Sequence, residues 1–261
     1  MSKRRVSSSG TRRAASKRRL EATVQAVQLK WGSQALRKGA APVAASVPAL
    51  STGLPRLDHI LAVGGLPLGH ISELVGQSTS GKRTLALHIL AEAQGRFPCI
   101  YLDLAQTLDP AYAAACHVDL SQLAIATPAS PGQALDLACD LAASGHFGLV
   151  IFDSTAVLST VPLPSGAAAI VLRRLRQALQ GKASAMLFLA TPGDYPPGFA
   201  LEQGAAVRLL VSRQRWLRRL GGGIRGYEAQ VVVLRNRWSE AGRQTRVRIT
   251  FNGVHVAEAP G

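Results

Sequence analysis

Between residues 70 and 190, short apolar runs rich in Val, Ile, Leu and Phe alternate with longer stretches whose apolar positions recur at helical spacing. Buried strands joined by helices produce that alternation, because a strand covered on both faces has no polar side to show. The pattern predicts a strand at His70–Val75 ending on Gly76, a helix at Lys82–Gln94 and a second strand at Cys99–Leu104. A short helix at Pro110–Cys116, a strand at Leu123–Ala126, a helix at Pro131–Ser144 and a strand at Gly148–Asp153 follow, then a helix over 166–181 and a strand at Ala185–Ala190. Beyond residue 204 the pattern changes to consecutive strands at Ala206–Val211, Ala229–Arg235 and Thr245–Phe251, the first two joined by a Gly-rich basic turn. An antiparallel extension of the sheet is implied. Upstream, Leu20, Val24, Val27 and Trp31 fall at helical spacing and predict a helix to about Lys30. Gly39–Val47, rich in Ala and Pro, reads as a linker. The fold class is α/β, a mostly parallel sheet flanked by helices with an antiparallel C-terminal extension. The predicted division is a tail over 1–19, a helix and linker over 20–47, a core over 48–252 and a short tail over 253–261.

Charge narrows the range of partners. Thirty Lys and Arg against fifteen Asp and Glu give the chain of 261 residues a formal net charge of +15, which points to a polyanion such as nucleic acid or an anionic membrane. Aromatic residues make up only 5%, which argues against a platform of many rings reading single-stranded bases. Lys3, Arg4, Arg5, Arg12, Arg13, Lys17, Arg18 and Arg19 form a block without a balancing acid. Its self-repulsion predicts disorder in isolation. No apolar segment behind that block suits a secretory signal, and no run has the length of a membrane span, so a cytoplasmic protein is expected. Cys99, Cys116 and Cys139 are widely spaced in apolar stretches and read as buried free thiols; no Cys or His spacing suggests a metal site.

The first chemistry-bearing motif is Gly76-Gln77-Ser78-Thr79-Ser80-Gly81-Lys82, set between a strand and a helix. There the glycines let backbone N–H groups wrap phosphates, the helix N-terminus adds positive potential and Lys82 reaches the terminal phosphates. A Gly/Ser turn capping a helix is the plainer alternative. The hydroxyl that should follow the lysine as a Mg²⁺ ligand is replaced by Arg83; Thr84, one residue on and about 100° round the helix, faces elsewhere. Leu149–Asp153 delivers a carboxylate to the C-terminal edge of its strand, where water-mediated Mg²⁺ contact occurs in such sites.

These segments, taken together and in order, resemble the bacterial RecA recombinase core. Ser51-Thr52-Gly53, Leu57-Asp58 and Gly64-Gly65-Leu66-Pro67-Leu68-Gly69 precede the phosphate loop. Leu108-Asp109-Pro110 with Tyr112, Gly132-Gln133-Ala134-Leu135, Asp153-Ser154, Ala205-Ala206-Val207-Arg208-Leu209 and Arg235-Asn236-Arg237 follow it. The match runs over roughly 20–252 and lacks that family's separate C-terminal domain. The resemblance implies a P-loop nucleotide site for ATP or ADP formed by Gly76, Ser78, Thr79, Ser80, Gly81, Lys82, Arg83, Thr84, Asp109, Tyr112 and Asp153. Within it Asp109 and Tyr112 hold adenine, and Asp153 lies on the Mg²⁺ side. Arg235 and Arg237 match two lysines that sense a neighbouring subunit's nucleotide; a solvated basic strand end is the alternative. The helix from Leu20 to Trp31 resembles the one by which subunits of that family pack, which implies self-association.

The departures are as informative. The glutamate that activates water aligns with Ala105, and a methyl group cannot act as a base whose assistance is worth about 10²- to 10⁴-fold. Gln106 is adjacent but directed differently, Thr191 replaces a glutamine that links γ-phosphate to DNA, and Gln203 replaces a phenylalanine at the subunit contact. The DNA-holding loops, Ser159–Ser165 and Pro192–Phe199, are short and proline-stiffened. Arg213, Arg215, Trp216, Arg218, Arg219 and Arg225 surround Gly221-Gly222-Gly223 as a basic hairpin suited to phosphates and one stacked base, or as a hairpin kept soluble by charge. The resulting expectation is an ATP-binding DNA-repair accessory protein with little or no hydrolysis. Its partners would be DNA, single-stranded by preference, and a RecA-like or Y-family polymerase-like protein. It resembles in general character the ImuA-type factors of translesion synthesis in the SOS response. An active DNA-dependent recombination ATPase and a nucleotide-independent filament module are the alternatives.

Overall fold

The computed structural model describes residues 8–32, 47–159, 167–195, 198–219, 221–251 and 254–259. Most of the expected linker, the loop over 160–165, Pro196-Pro197 and part of the C-terminal tail lie outside these residues. The chain divides into two units, residues 1–45 and 46–261. The first carries one helix, α1 (Ser8–Trp31). It begins twelve residues before the helix predicted from Leu20, inside the basic block expected to be disordered. Ala, Arg and Lys are strong helix formers, each turn adds backbone hydrogen bonds, and like-charge pairs on an exposed helix cost only about 0.2–0.5 kcal/mol each.

The second unit opens with β1 (Ala49–Leu50), α2 (Pro55–Leu61) and β2 (Leu66–Pro67), with β1 and β2 paired antiparallel. Asp58 ties this opening together, accepting from the Ser51 hydroxyl and from both the backbone N–H and the hydroxyl of Thr52. Then come β3 (Ile71–Val75), α3 (Lys82–Gln94), β4 (Cys99–Asp103), α4 (Pro110–Ala115), β5 (Leu123–Ala126), α5 (Pro131–Ser144), β6 (Leu149–Asp153), α6 (Thr155–Leu158), α7 (Ala167–Leu179), β7 (Ala185–Ala190) and α8 (Leu201–Gly204). The chain ends with β8 (Val207–Arg218), β9 (Ile224–Asn236), β10 (Gln244–Thr250) and β11 (His255–Glu258).

Nine strands form one sheet in the order β11-β10-β9-β8-β3-β7-β6-β4-β5. From β8 to β5 neighbours run parallel; β9, β10 and β11 extend the sheet antiparallel. The period of two along each strand separates two cores. Leu149 and Ile151 face one layer with Leu85, Ile89 and Leu90 of α3, whereas Val150 and Phe152 face the other with Leu135 of α5 and Leu172 and Leu175 of α7. β8 and β9 run well past the predicted limits. Tyr227 apart, which is buried, their outer halves are held mainly by cross-strand pairing, so periodicity gives little sign of them. Among the described residues no helix is long and apolar enough to cross a membrane, and the three cysteines are buried and unpaired with one another.

Candidate nucleotide-binding site

Chain order β3, β4, β5, β6, β7, β8 and sheet order differ, and crossovers at such switch points open a crevice at the carboxyl ends of the strands. The ends of β3, β4, β6 and β7 bring the phosphate loop, Asp103, Asp153 and Thr191 to this edge. Two positions explain the loop's glycines. A Cβ at Gly76 would lie 2.5 Å from both the Ser80 hydroxyl and the Val211 carbonyl oxygen, so only glycine lets the loop turn against β8. Gly81 has φ +98° and caps α3, where a Cβ would lie 2.8 Å from the Tyr227 hydroxyl. Gln77, Ser78 and Thr79 form the exposed crest, and Ser80 is buried beneath it. Lys82 Nζ donates to the Gly76 carbonyl at 2.6 Å and to the Thr191 hydroxyl at 3.3 Å. Partial burial, with the charge of Arg83, lowers the Lys82 ammonium pKa against the opposing pull of Asp153 and Asp194.

The residue at the replaced hydroxyl position binds two partners. Arg83 Nε donates to Asp153 Oδ2 at 2.6 Å, and its Nη2 donates to the Thr107 hydroxyl at 3.0 Å. Tyr101 donates to the same Asp153 oxygen at 2.5 Å. Asp153 is almost wholly buried, while the Arg83 side chain is 42% exposed. Burial lowers the Arg83 pKa, but the bond to Asp153 and its charge outweigh this and raise it. Tyr101 is held far above the ordinary phenol range by burial and then by Asp153. A divalent cation of the Mg²⁺ type needs a near-octahedral shell of hard oxygen ligands. Here a guanidinium stands in the ligand position and the carboxylate oxygen already accepts two donors, so the residues do not fit that ion. Among the described residues no cluster of three or more His, Cys, Asp and Glu has the arrangement of a metal site.

Thr84 faces away from the loop crest, as its helical position requires, and shares a 2.7 Å hydrogen bond with the Tyr112 hydroxyl. Tyr112 is half-buried, its hydroxyl pKa raised by burial, and Asp109 caps α4 by accepting from the backbone N–H groups of Ala111 and Tyr112. Asp103 accepts from the N–H groups of Thr107 and Leu108, folding the β4–α4 loop so that Ala105 and Gln106 lie exposed, Gln106 with φ +53°.

The basic hairpin divides into unlike parts. Arg213 reaches the loop crest, 3.5 Å from the Thr79 hydroxyl, and stacks over Trp216 at 4.4 Å. Arg215 forms a bidentate pair with the buried Glu228, which also binds Arg248. Arg218, Arg219 and Arg225 lie exposed beside the glycine turn. Trp216 meets Tyr227 edge-on at 5.7 Å, so the hairpin aromatics adjoin the residue packed under Gly81. Arg235 donates to the carbonyls of Gln203 and Glu202 at the end of α8, and Arg237, largely exposed, has its pKa lowered by partial desolvation and by the neighbouring Arg176 and Arg235.

Sequence reasoning missed the roles of Tyr101, Thr107 and Tyr227, and the buried Glu73 of β3, which pairs with Arg208 and accepts from Tyr195 at 2.5 Å. One signal was present for each kind: a tyrosine inside an apolar strand needs a partner for its hydroxyl, and a glutamate inside one needs a cation.

Comparison with known proteins agrees with this geometry. The family model for the RecA N-terminal domain matches residues 18–166. Protein RecA of Rubrobacter xylanophilus is 33% identical over 259 residues, covering 90% of this chain and 70% of that protein. Protein RecA of Marinobacter nauticus is 31% identical over 268 residues, covering 93% and 77%. The crystal structure of the RadB recombinase superposes with a TM-score of 0.62 at 19% identity, covering 81% of this chain and all of that one, and so shares its fold. On the strength of the matched domain and of relatives aligned over most of their length, the chain belongs to the RecA family.

Proposed function

We propose that this chain is a nucleotide-binding DNA-repair accessory protein of the RecA family that holds ATP or ADP with little or no hydrolysis. The observation that carries the reading is the contrast at one crevice. The phosphate cradle is complete from Gly76 to Lys82, while the loop after β4, where water would be activated, presents the methyl group of Ala105. Gln106 does not replace a carboxylate, because an amide is not a base at neutral pH. Asp109 and Tyr112 offer an adenine contact at the same edge, and Arg235 and Arg237 a cationic surface for a neighbouring subunit's phosphates. DNA, single-stranded by preference, is assigned to the hairpin tip. Support of damage tolerance or translesion synthesis in the cytoplasm, together with a RecA-like or polymerase-like partner, completes the reading. The test is a titration of labelled ATP with turnover followed in parallel, with and without single-stranded DNA. Binding lost in Lys82→Ala and turnover near background are expected; multiple-turnover hydrolysis stimulated by DNA overturns the reading.

A further inference from the structure

We infer that Arg83 takes the place of the divalent cation in this pocket, so that the chain binds nucleoside phosphates in their metal-free form. The inference rests on the nucleotide reading above and adds the ionic form of the ligand. Arg83 follows the phosphate-loop lysine at the start of α3, where the backbone directs its side chain across the crevice to the end of β6. There Nε sits 2.6 Å from Asp153 Oδ2. Both lone pairs of that oxygen are taken, one by Arg83 and one by Tyr101 at 2.5 Å, so a metal-bound water has no acceptor on it. A cation entering beside Asp153 would also meet the guanidinium charge at close range, which disfavours a double charge twice as strongly as a single one.

What the ion normally supplies is positive charge beside the phosphate oxygens, and three side chains of this pocket supply it instead. Lys82 reaches the cradle, the guanidinium of Arg83 stays partly exposed while it binds Asp153 and Thr107, and Arg213 touches the crest through Thr79. A guanidinium has more N–H donors than Asp153 and Thr107 take up, and its planar fork suits phosphate oxygens. An ion pair with a purely architectural role is the competing account, and it predicts ordinary metal dependence.

The distinguishing experiment measures the dissociation constant of a fluorescent ADP analogue with full-length protein, in excess EDTA and in excess MgCl₂. For the wild type the EDTA value is expected to equal or fall below the MgCl₂ value; Arg83→Thr is expected to bind at least ~10-fold tighter with MgCl₂ than with EDTA. Arg83→Lys, which keeps the charge, is expected to stay metal-independent. Wild-type affinity that drops about tenfold or more in EDTA overturns the substitution while leaving nucleotide binding intact. Metal-independent binding in Arg83→Thr overturns the assignment to Arg83. Absence of binding in both buffers, by fluorescence and by thermal shift, removes the nucleotide reading itself and the inference with it.

Discussion

Glu73→Leu isolates the charge cluster that anchors the loop after β7. The Glu73 side chain is wholly buried, its carboxylate pairs with Arg208, whose side chain is 14% exposed, and it accepts from Tyr195. Burial raises the Glu73 pKa above its ordinary value, and the hydrogen bond from Tyr195 and the charge of Arg208 offset part of that rise. Leucine fills nearly the same volume but strands the guanidinium. Removing one partner of a buried pair costs about 3–5 kcal/mol. Arg208 keeps Glu202 at 3.0 Å, but that carboxylate is 55% exposed, and an exposed pair returns only about 0–1 kcal/mol. Tyr195 loses its acceptor where water can still reach it, adding on the order of 1 kcal/mol. The expected loss is about 3–5 kcal/mol against a typical total of 5–15 kcal/mol. Urea unfolding of the wild type, Glu73→Leu, Arg208→Leu and the double variant provides the assay. In the double variant no buried charge is left unpaired, so its loss should fall short of the two single losses summed by at least about 2 kcal/mol. A single-variant loss below about 1 kcal/mol, or a double variant as unstable as the two singles summed, refutes the reasoning.

Gly81→Ala forces an L side chain into φ +98° against Tyr227 and Ile249, at a cost of about 1–3 kcal/mol. Equilibrium dialysis should show ATP affinity lowered at least ~10-fold with far-UV circular dichroism unchanged; undiminished affinity counts against the loop geometry. At the hairpin tip, replacing both Arg218 and Arg225 by Ser should reduce the salt dependence of single-stranded DNA binding by about 1.4 in log–log slope. An unchanged slope takes the tip out of the DNA surface. The Glu228 carboxyl is held down to about 2 by the hydrogen bonds from Arg215 and Arg248, against an ordinary value of 4.5. A lowered folded-state pKa gives stability that is complete above 4.5 and fades as pH falls toward 2. The acid side of a Tm–pH profile should therefore be flatter for Glu228→Gln, and superimposable profiles would remove the pair from the stability balance. Because Arg213 bridges Trp216 and Thr79, nucleotide should change Trp216 emission, and Trp216→Phe should abolish the change; a signal that survives belongs to Trp238 or Trp31.

What the sequence made legible was local. Strands β3, β4, β6 and β7 are buried on both faces, and a short apolar run bounded by turns can be recognised without knowing its neighbours. The phosphate cradle spans seven consecutive residues, Gly76 to Lys82, and its backbone requirements are written in the glycines themselves. Missing hydroxyl and carboxylate groups were equally visible, since positions 83 and 105 are read one at a time. Hidden were the partners that the missing groups had acquired. Arg83 and Asp153 lie 70 residues apart, Glu73 and Arg208 lie 135 apart, and nothing in the periodicity of either segment indicates that the other closes on it.

The hairpin shows the same limit. Five arginines around a glycine turn read as one basic patch, but cross-strand register sets Arg215 opposite Glu228 and aims Arg213 at the phosphate loop. That register follows from pairing along β8 and β9, whose bulges near Arg213/Arg215 and Leu217/Arg218 reset which side chains share a face. A charge count therefore overestimates the surface available to DNA. It also conceals a cation that adjoins both surfaces, since Arg213 touches the crest that would carry phosphates and stacks on the tryptophan that would carry a base. A side chain shared in this way is a physical route by which one surface can bias the other, and such linkage requires no hydrolysis.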